Sequence, residues 1–311
     1  MRPARGREKR WVVREGDGAT VGEILARAGE GDAAVAEGRV FVGRARVKSA
    51  SEKVRVGDEV RIGAGAGAAE WSVIWERDGL LACNKPAGMP TVPDHGGAAH
   101  SLVSLAAQSI GRKADEMFVT SRLDREVSGV VVFATSAEAE SRLRHARAEG
   151  RYARRYVAIA AVSGPEEPKK RPWNAPIGAG KDARHRAAFG ADAKEASTHF
   201  SVVARAPGYV LLAVEPQTGR THQIRVHAAH AGAPLLGDRD YGGAARVTLS
   251  GGRTVALGRI ALHAARVSVP DARGNALVAL APIPVELTRA WTELGGAPEA
   301  WDTALSCDVE P

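Results

Sequence analysis

The sequence predicts an α+β fold in which a mixed, largely antiparallel β-sheet is flanked by helices. Strand-like segments follow one another along the chain with few helices between them, which favours this class over a doubly wound sheet. Residues 71–93 predict two strands about a turn at Arg77–Gly79. Further strands are predicted at residues 130–133, 153–162, 195–206, 209–216 and 258–270.

The remaining elements have their own local signals. Val130–Phe133 is a continuous apolar run, as expected for a strand covered on both faces. Helices are predicted at residues 101–110, 138–150 and 221–232. The second of these is amphipathic and basic and ends at Gly150, and the third has Thr221 as its N-cap and ends at Gly232.

The 311 residues suggest two domains and a linker. Residues 1–14 are a basic tail, residues 15–62 a small module, residues 63–70 (GAGAGAAE) a flexible linker, and residues 71–311 the large domain. In the module, TVGEILARAG (20–29) predicts a helix capped by Thr20 and stopped by Gly29. Short strands separated by glycine turns follow it up to residue 62.

The charge is concentrated in one part of the chain. The formal net charge is +7, and residues 141–190 alone hold twelve Lys/Arg against four acids. A local basic block is the footprint expected for a phosphate backbone, although a solvated basic surface has the same composition. Two distant cysteines and the lack of a signal peptide or membrane-length apolar run predict a cytoplasmic protein.

The first candidate site is Arg122–Leu123–Asp124–Arg125, just ahead of Ser128–Gly129 and a buried strand. A reactive carboxylate screened from water needs a cation or several donors to stabilise it. Arg122 and Arg125 flank it, but Arg125, at i+1 of an extended segment, points to the opposite face, so we expect a further cation from elsewhere. An Asp that only organises a turn remains the alternative.

The second candidate site is QTGRTHQIRVHAAH, residues 217–230. Arg220 and Arg225 bracket the first turn of the predicted helix, and Arg225 is the candidate partner for Asp124 through a bidentate pair. Three histidines (His222, His227 and His230) raise the possibility of a metal site. His222 lies about 140° around the helix from His227, however, and no acidic ligand set of standard spacing is nearby, so we expect no metal.

The third candidate site is Arg154–Arg155–Tyr156, at the start of a predicted strand inside the basic window. A tyrosine beside arginines can stack on a nucleobase, as in proteins that bind single-stranded RNA. A half-buried core tyrosine with a satisfied hydroxyl is the alternative.

Six motifs occur in register: NKPAG (84–88), RLDREVSG (122–129), RRYVA (154–158), GRTHQIRVH (219–227), PLLGD…YGG (234–243) and LHA (262–264). With them, residues 71–290 closely resemble the RluA-type RNA pseudouridine synthases. EGRVFVGRARV (37–47) and VRVGDEVRI (54–62) resemble the alpha-L RNA-binding module, a common companion of that catalytic domain.

The RluA-type resemblance implies an enzyme that isomerises uridine in RNA with one essential Asp and without a metal or other cofactor. Asp124 matches the nucleophile, Tyr156 the residue that packs on the flipped uracil, and Arg225 the partner of Asp124. Arg122 would fill the space that the base leaves. The expected RNA-binding residues are Arg122, Arg125, Arg154, Arg155, Arg220, His222 and Gln223.

Two positions depart from the family pattern: Ser121 stands where His is usual and Val127 where Thr is usual. Both leave Asp124 and its expected partner in place. We therefore expect a cofactor-free, monomeric enzyme acting on ribosomal or transfer RNA. The alternatives are a non-catalytic RNA- or ribosome-binding protein with the same fold and a metal-dependent hydrolase.

Overall fold

The computed structural model describes residues 9–36, 40–43, 45–47, 49–62, 71–93, 101–164, 168, 173–182 and 185–309. Contacts divide the chain into two units, Met1–Glu70 and Trp71–Pro311. Several predicted features lie outside the described residues, namely most of the basic tail, the 63–70 linker, parts of the 37–47 segment, and Lys169, Lys170, Arg171 and Arg184. No helix in the described part of the chain has the length and apolar character needed to cross a bilayer.

The first unit combines two short helices with a four-stranded antiparallel sheet. Its elements are β1 (Lys9–Val12), α1 (Val21–Arg27), α2 (Ala33–Ala36), β2 (Val40–Val42), β3 (Ala45–Arg46) and β4 (Glu59–Ile62), and the sheet order is β1-β4-β2-β3. Helix α1 begins after Thr20, as predicted. The Thr20 hydroxyl accepts from the Glu23 N–H and the Glu23 carboxylate accepts from the Thr20 N–H.

The second unit contains the larger sheet and most of the helices. Its first elements are β5 (Ser72–Arg77), β6 (Leu80–Lys85), α3 (Leu102–Ser109), β7 (Ser128–Ala134), α4 (Ala137–Ala148), β8 (Ala153–Ala161), β9 (Ile177–Ala179), β10 (Arg186–Ala188) and β11 (Ala191–Lys194). They are followed by β12 (Thr198–Ala206), β13 (Tyr209–Pro216), α5 (Gln223–His230), β14 (Arg246–Thr248), β15 (Thr254–Ala256), β16 (Leu262–Pro270), β17 (Ala276–Leu280), α6 (Val285–Glu293) and α7 (Ala300–Ser306).

The large sheet has eight strands in the order β12-β13-β8-β16-β7-β6-β5, with β17 paired to β16. Among its strand pairs in the described residues, β16–β7 is parallel, with His263 opposite Ser128, and the others are antiparallel. The predicted fold class, α+β with a mixed and largely antiparallel sheet, is confirmed. The sequence interpretation missed the three-stranded sheet β10-β9-β11, the β14–β15 hairpin, strand β17 and the C-terminal helices α6 and α7.

Both faces of the large sheet are covered, which explains the continuous apolar strands. All seven residues of β7 are buried, as predicted. Alternate residues of β8 enter different clusters: Ala158 packs with Leu212 on one face, whereas Ile159 packs with Leu211 and with Trp291 of α6 on the other. The alternation of side chains along β8 therefore decides which of them lie on the sheet face that packs against helix α5.

Gly129 permits the parallel contact that brings β16 beside the Asp124 segment. Its φ is +117°, and a Cβ at this position would lie 2.2 Å from the carbonyl oxygen of Ala264. A side chain here would separate β7 from β16 at the point where the two strands begin to pair. The Ser128–Gly129 step in the motif thus has a packing function.

Candidate active site

Asp124 lies at the end of an extended segment that leads into β7. A turn follows it at Arg125–Glu126, closed by a hydrogen bond from the Val127 N–H to the Asp124 carbonyl (3.1 Å). The carboxylate takes no part in that bond and points to Arg225 instead. The side chain of Asp124 therefore does not serve the turn, which was the alternative interpretation of the motif.

The NKPAG loop (84–88) is hydrogen-bonded to the backbone next to Asp124. Lys85 is fully buried, and its ammonium donates to the carbonyls of Pro86 (3.0 Å), Met89 (2.7 Å) and Arg125 (3.2 Å). Burial, with a contribution from the Arg259 charge, lowers the pKa of Lys85 to about 7. Three carbonyl acceptors match the three N–H donors of an ammonium and hold the loop in one conformation.

Thr91 fixes the residue before Asp124. Its hydroxyl donates to the Leu123 carbonyl (2.8 Å) and accepts from the Leu123 N–H (3.1 Å). The Arg125 side chain donates to the Gly88 carbonyl (2.9 Å), and the Gly88 N–H donates to the Arg125 carbonyl (2.7 Å). These bonds fix the backbone on both sides of Asp124 and so orient its carboxylate.

Helix α5 supplies Arg225, but it does not begin as predicted. Its N-cap is His222, with φ 58° and no side-chain capping bond, so the prediction that Thr221 caps the helix is wrong. The Gln223 carboxamide organises the preceding loop: Oε1 accepts from the Thr218 hydroxyl (2.7 Å) and from the Arg220 N–H (2.9 Å). A left-handed, non-glycine residue at a helix start is uncommon and is typical of functional sites.

Arg225 is the centre of a carboxylate cluster. Its Nη1 lies 3.0 Å from Asp124 Oδ2, while Nε and Nη2 make a bidentate pair with Asp238 (2.8 Å each) and Nη2 also meets Asp240 (2.8 Å). The expected bidentate pair with Asp124 is therefore wrong, because the fork of Arg225 faces Asp238. Burial disfavours the charged form of Arg225, but the bonds and charges of Asp238, Asp124 and Asp240 outweigh it and raise its pKa.

Asp124 opens into a cleft of about 570 Å³ with an apolar floor and a basic wall. The floor is the end of the hydrophobic core, formed by Val127, Tyr156, Ile224 and Leu262. Among the described residues, six arginines line the cleft together with one carboxylate, that of Asp124: Arg122, Arg125, Arg147, Arg154, Arg220 and Arg225. An apolar floor suits a nucleobase, and the arginines suit an anionic backbone.

The predicted RNA-binding residues differ in how free they are to bind. Arg122 is exposed and lines the cleft, and Arg220 is exposed with its Nε donating to the Glu195 carbonyl (2.9 Å). Gln223 is buried, and its NH₂ group donates to the Ser197 carbonyl and the Thr198 hydroxyl. The structure therefore makes Gln223 an organiser of the cleft wall.

Arg154 and Arg155 lie on opposite faces of β8. Arg154 lines the cleft with Tyr156, which is 8% exposed and whose pKa burial raises. Arg155 donates to Glu215 (2.7 and 3.0 Å) and to the carbonyls of Leu305 and Cys307 near the C-terminus. Because strand side chains alternate, the structure does not bring Arg155 to the cleft, contrary to its predicted place among the RNA-binding residues.

The histidines have structural partners. His222 lies in the cleft, with Nδ1 2.7 Å from the Tyr241 hydroxyl and Nε2 3.8 Å from Asp124, and burial lowers its pKa. His227 is buried between Thr198 and the Ala175 carbonyl, and burial lowers its pKa as well. Within the described ranges, no three His, Cys, Asp or Glu side chains form a group that could hold a metal ion.

Several residues of the site escaped the sequence interpretation. Asp238 is fully buried and holds Arg225, and the ring of Tyr241 lies under the Arg225 guanidinium (4.9 Å). Both lie in the PLLGD…YGG motif, so the motif itself was the available signal. Lys85 lies in the NKPAG motif, but its bond to the Arg125 carbonyl, like that of Thr91 to the Leu123 carbonyl, joins residues more than 30 positions apart that no local pattern connects.

The comparisons with known proteins agree with this geometry. The family model for RNA pseudouridylate synthase matches residues 79–230. An uncharacterized RNA pseudouridine synthase of Bacillus subtilis, YhcT, is 35% identical over 70% of this chain and 70% of its own length. Ribosomal large subunit pseudouridine synthase D of Nitrosomonas europaea is 32% identical over 76% of this chain and 71% of its own length.

Solved structures share the fold. Human RNA pseudouridylate synthase domain containing 1 is 18% identical and covers 78% of this chain and 98% of that one, with a TM-score of 0.56. Human RNA pseudouridylate synthase domain containing 4 is 19% identical and covers 72% and 93%, with a TM-score of 0.55. The chain belongs to the RNA pseudouridylate synthase family. It is thus an RNA pseudouridine synthase, an isomerase, and the predicted family and function are confirmed.

Proposed function

We propose that Asp124 carries out the isomerisation on a uridine flipped into the arginine-lined cleft. The observation that carries this proposal is that, among the described residues lining the cleft, Asp124 supplies the one carboxylate, with Arg225 Nη1 at 3.0 Å. The guanidinium stabilises the charged carboxylate and aims it into the cleft, which a nucleophile or base requires. At 27% side-chain exposure, Asp124 is accessible to a bound nucleotide.

The reaction breaks the N1–C1′ bond of uridine, turns the uracil and joins C5 to C1′. C5 releases its proton and N1 takes one up, so that product and substrate are isomers. Asp124 acts at C1′ or assists the departure of uracil. Tyr156, on the cleft floor beside Val127 and Leu262, stacks on the detached uracil and keeps it from diffusing away. Burial lowers the pKa of His222, which lies 3.8 Å from Asp124, and so disfavours a positive charge on its ring.

Arg122 takes the place of the flipped base. It is exposed and lines the cleft, two residues before Asp124. An arginine in that position fills the gap in the RNA stack and offsets part of the cost of unstacking. Arg122, Arg125, Arg154, Arg220 and His222 line the cleft and form the proposed RNA contact set.

We propose ribosomal RNA as the substrate. Support comes from relatives named ribosomal large subunit pseudouridine synthase D, including that of Xanthomonas campestris, 32% identical over 72% of this chain and 69% of its own length. The test is tritium release from ribosomal and transfer RNA, each labelled at uracil C5 and prepared from cells lacking the gene. Release from ribosomal RNA alone supports the assignment, and release from transfer RNA alone overturns it.

The first unit is proposed as an additional RNA grip. Support comes from Arg10 of β1 and Arg61 of β4, which are cross-strand neighbours and each lie 3.9 Å from Glu59. Arg10→Gln combined with Arg61→Gln is expected to raise KM for RNA and leave kcat in place. A kcat that falls at constant KM would contradict this role.

Because one chain supplies Asp124, Arg225 and Tyr156 to the cleft, we propose a monomeric enzyme that acts in the cytoplasm. Light scattering across a dilution series, with activity measured in parallel, tests the first statement. Specific activity that falls as the protein is diluted would contradict it.

A further inference from the structure

Two arginines that line the cleft, Arg147 and Arg154, both approach the ring of one buried tyrosine. The ring of Tyr152, a residue 7% exposed, has the guanidinium of Arg147 at 4.6 Å and that of Arg154 at 5.9 Å from its centroid. The Tyr152 hydroxyl lies 3.1 Å from Ser121 Oγ, which fixes the ring. Arg147 comes from α4 and Arg154 from β8, so two elements converge on this point.

Each guanidinium is anchored by backbone carbonyls. Arg147 Nη1 donates to the Thr120 carbonyl (2.7 Å), and Arg154 Nη2 donates to the carbonyls of Pro216 (3.0 Å) and Thr218 (2.8 Å). Carbonyls orient an arginine without neutralising it. Both side chains are thus held in place with their charge uncompensated at the cleft.

Three other arginines of the basic window (residues 141–190) form ion pairs with carboxylates. Arg144 pairs with Glu140, Arg151 with Glu149 and Arg155 with Glu215. In the described part of the chain no carboxylate lies within ion-pair distance of Arg147 or Arg154, and the buried Nε of Arg154 has no hydrogen-bond partner. An unpartnered N–H donor beside a second arginine that has no ion-pair partner in the described residues suits the binding of an anion.

We propose that Arg147 and Arg154, spaced by Tyr152, form a clamp for an RNA backbone phosphodiester next to the flipped uridine. A phosphodiester offers the anionic oxygens that two pre-oriented guanidinium groups require. It is also bonded directly to the ribose that Asp124 must reach. Bringing the phosphate into the clamp relieves the repulsion between the two cations. This inference rests on the proposed binding of the uridine in the cleft.

The test measures how the affinity for a short oligouridylate depends on salt. Arg147→Gln removes an exposed side chain whose contacts are the Tyr152 ring and the Thr120 carbonyl, so its melting curve is recorded as well. Arg144→Gln, one turn earlier in α4, is the matched control. Arg147→Gln is expected to lower the slope of log K against log salt by about 0.7, the value for one phosphate contact on single-stranded RNA. Arg144→Gln keeps the wild-type slope.

A second probe separates phosphate from base contacts. An oligouridylate with neutral methylphosphonate linkages is expected to bind wild type and Arg147→Gln with equal affinity. The RNA affinity of Arg154→Gln is measured in the same way. A melting curve of this variant shows how much stability is lost with the hydrogen bonds to the Pro216 and Thr218 carbonyls. A wild-type slope for both variants, or an equal loss of affinity for the neutral oligomer, would overturn the clamp.

These binding measurements do not require turnover, so the clamp and the proposed reaction can be refuted independently of each other. Reduced slopes in the variants, with no tritium release from labelled RNA by wild type, would leave the clamp standing and remove the catalytic proposal. Release by wild type together with unchanged slopes would remove the clamp alone.

Discussion

Replacing Arg225 by methionine is expected to cost the second unit about 3–5 kcal/mol of its free energy of unfolding. The Arg225 side chain is 5% exposed, and its bidentate partner Asp238 is fully buried. The substitution leaves that carboxylate uncompensated in the core, where an unpaired charge is expensive. The pairs with Asp240, 55% exposed, and Asp124, 27% exposed, add less because solvent screens them.

That cost is a large share of the roughly 5–15 kcal/mol that stabilises a typical protein. For a unit of this size it corresponds to a fall in melting temperature of about 6–20 °C. Arg289→Met, which removes an exposed arginine 3.7 Å from Glu293, is the matched control and is expected to stay within about 0.5 kcal/mol of wild type.

The sign of a second substitution tests the reasoning more sharply. Asp238→Asn is expected to destabilise the wild type, because it removes two charge-assisted bonds from Arg225. In the Arg225→Met background the same change is expected to stabilise, because it neutralises the orphaned carboxylate. Denaturant melts of the four proteins measure both effects, and tritium release should stay low in the double variant because Asp124 still lacks its cation.

Two results would refute this argument. One is a melting temperature of Arg225→Met equal to that of wild type. The other is an Asp238→Asn effect of the same sign and size in both backgrounds, which would mean that the two side chains are not coupled.

Three further outcomes are expected. Lys85 loses its proton above about pH 7 in the folded state but only near pH 10.5 in the unfolded state. Between these values the unfolded state binds more protons, so the free energy of unfolding rises from about pH 7 to 9, by at most about 1.4 kcal/mol per pH unit. Melts of Lys85→Met should lack this rise, and an identical rise would contradict the assignment. Tyr156→Leu should weaken RNA affinity by about 1–3 kcal/mol through lost stacking, and unchanged affinity would place the uracil elsewhere. Arg155→Gln should lower stability by about 1–3 kcal/mol without altering RNA affinity, whereas a weaker affinity at constant melting temperature would return Arg155 to the RNA contact set.

The fold was largely predictable because its elements carry strong local patterns. The buried run of β7, the capping box of Thr20 and the glycine-bounded helix α4 each have a physical cause within a few residues. The start of α5 was not predictable in this way. There the carboxamide of Gln223 organises the loop, and His222 takes a left-handed conformation beside Tyr241 that no capping rule indicates.

The candidate site was predictable in part. Asp124 and Arg225 stand out by motif, and their contact follows from the need for a cation beside a screened carboxylate. Asp238 reaches Arg225 through a turn of the chain, which sequence spacing does not reveal. The placement of Arg155 was within reach, because the period of two along β8 already puts it opposite Arg154 and Tyr156.

The measurement that tests the central claim most directly is tritium release from RNA labelled at uracil C5, comparing wild type, Asp124→Asn and Glu126→Gln. Glu126 is an exposed acid in the same turn and serves as the matched control. Because bond formation at C5 expels that hydrogen, wild type and Glu126→Gln are expected to release tritium, while Asp124→Asn binds RNA without release. Release by Asp124→Asn at the wild-type rate would contradict the role of Asp124, and binding without release by all three proteins would contradict catalysis in this cleft.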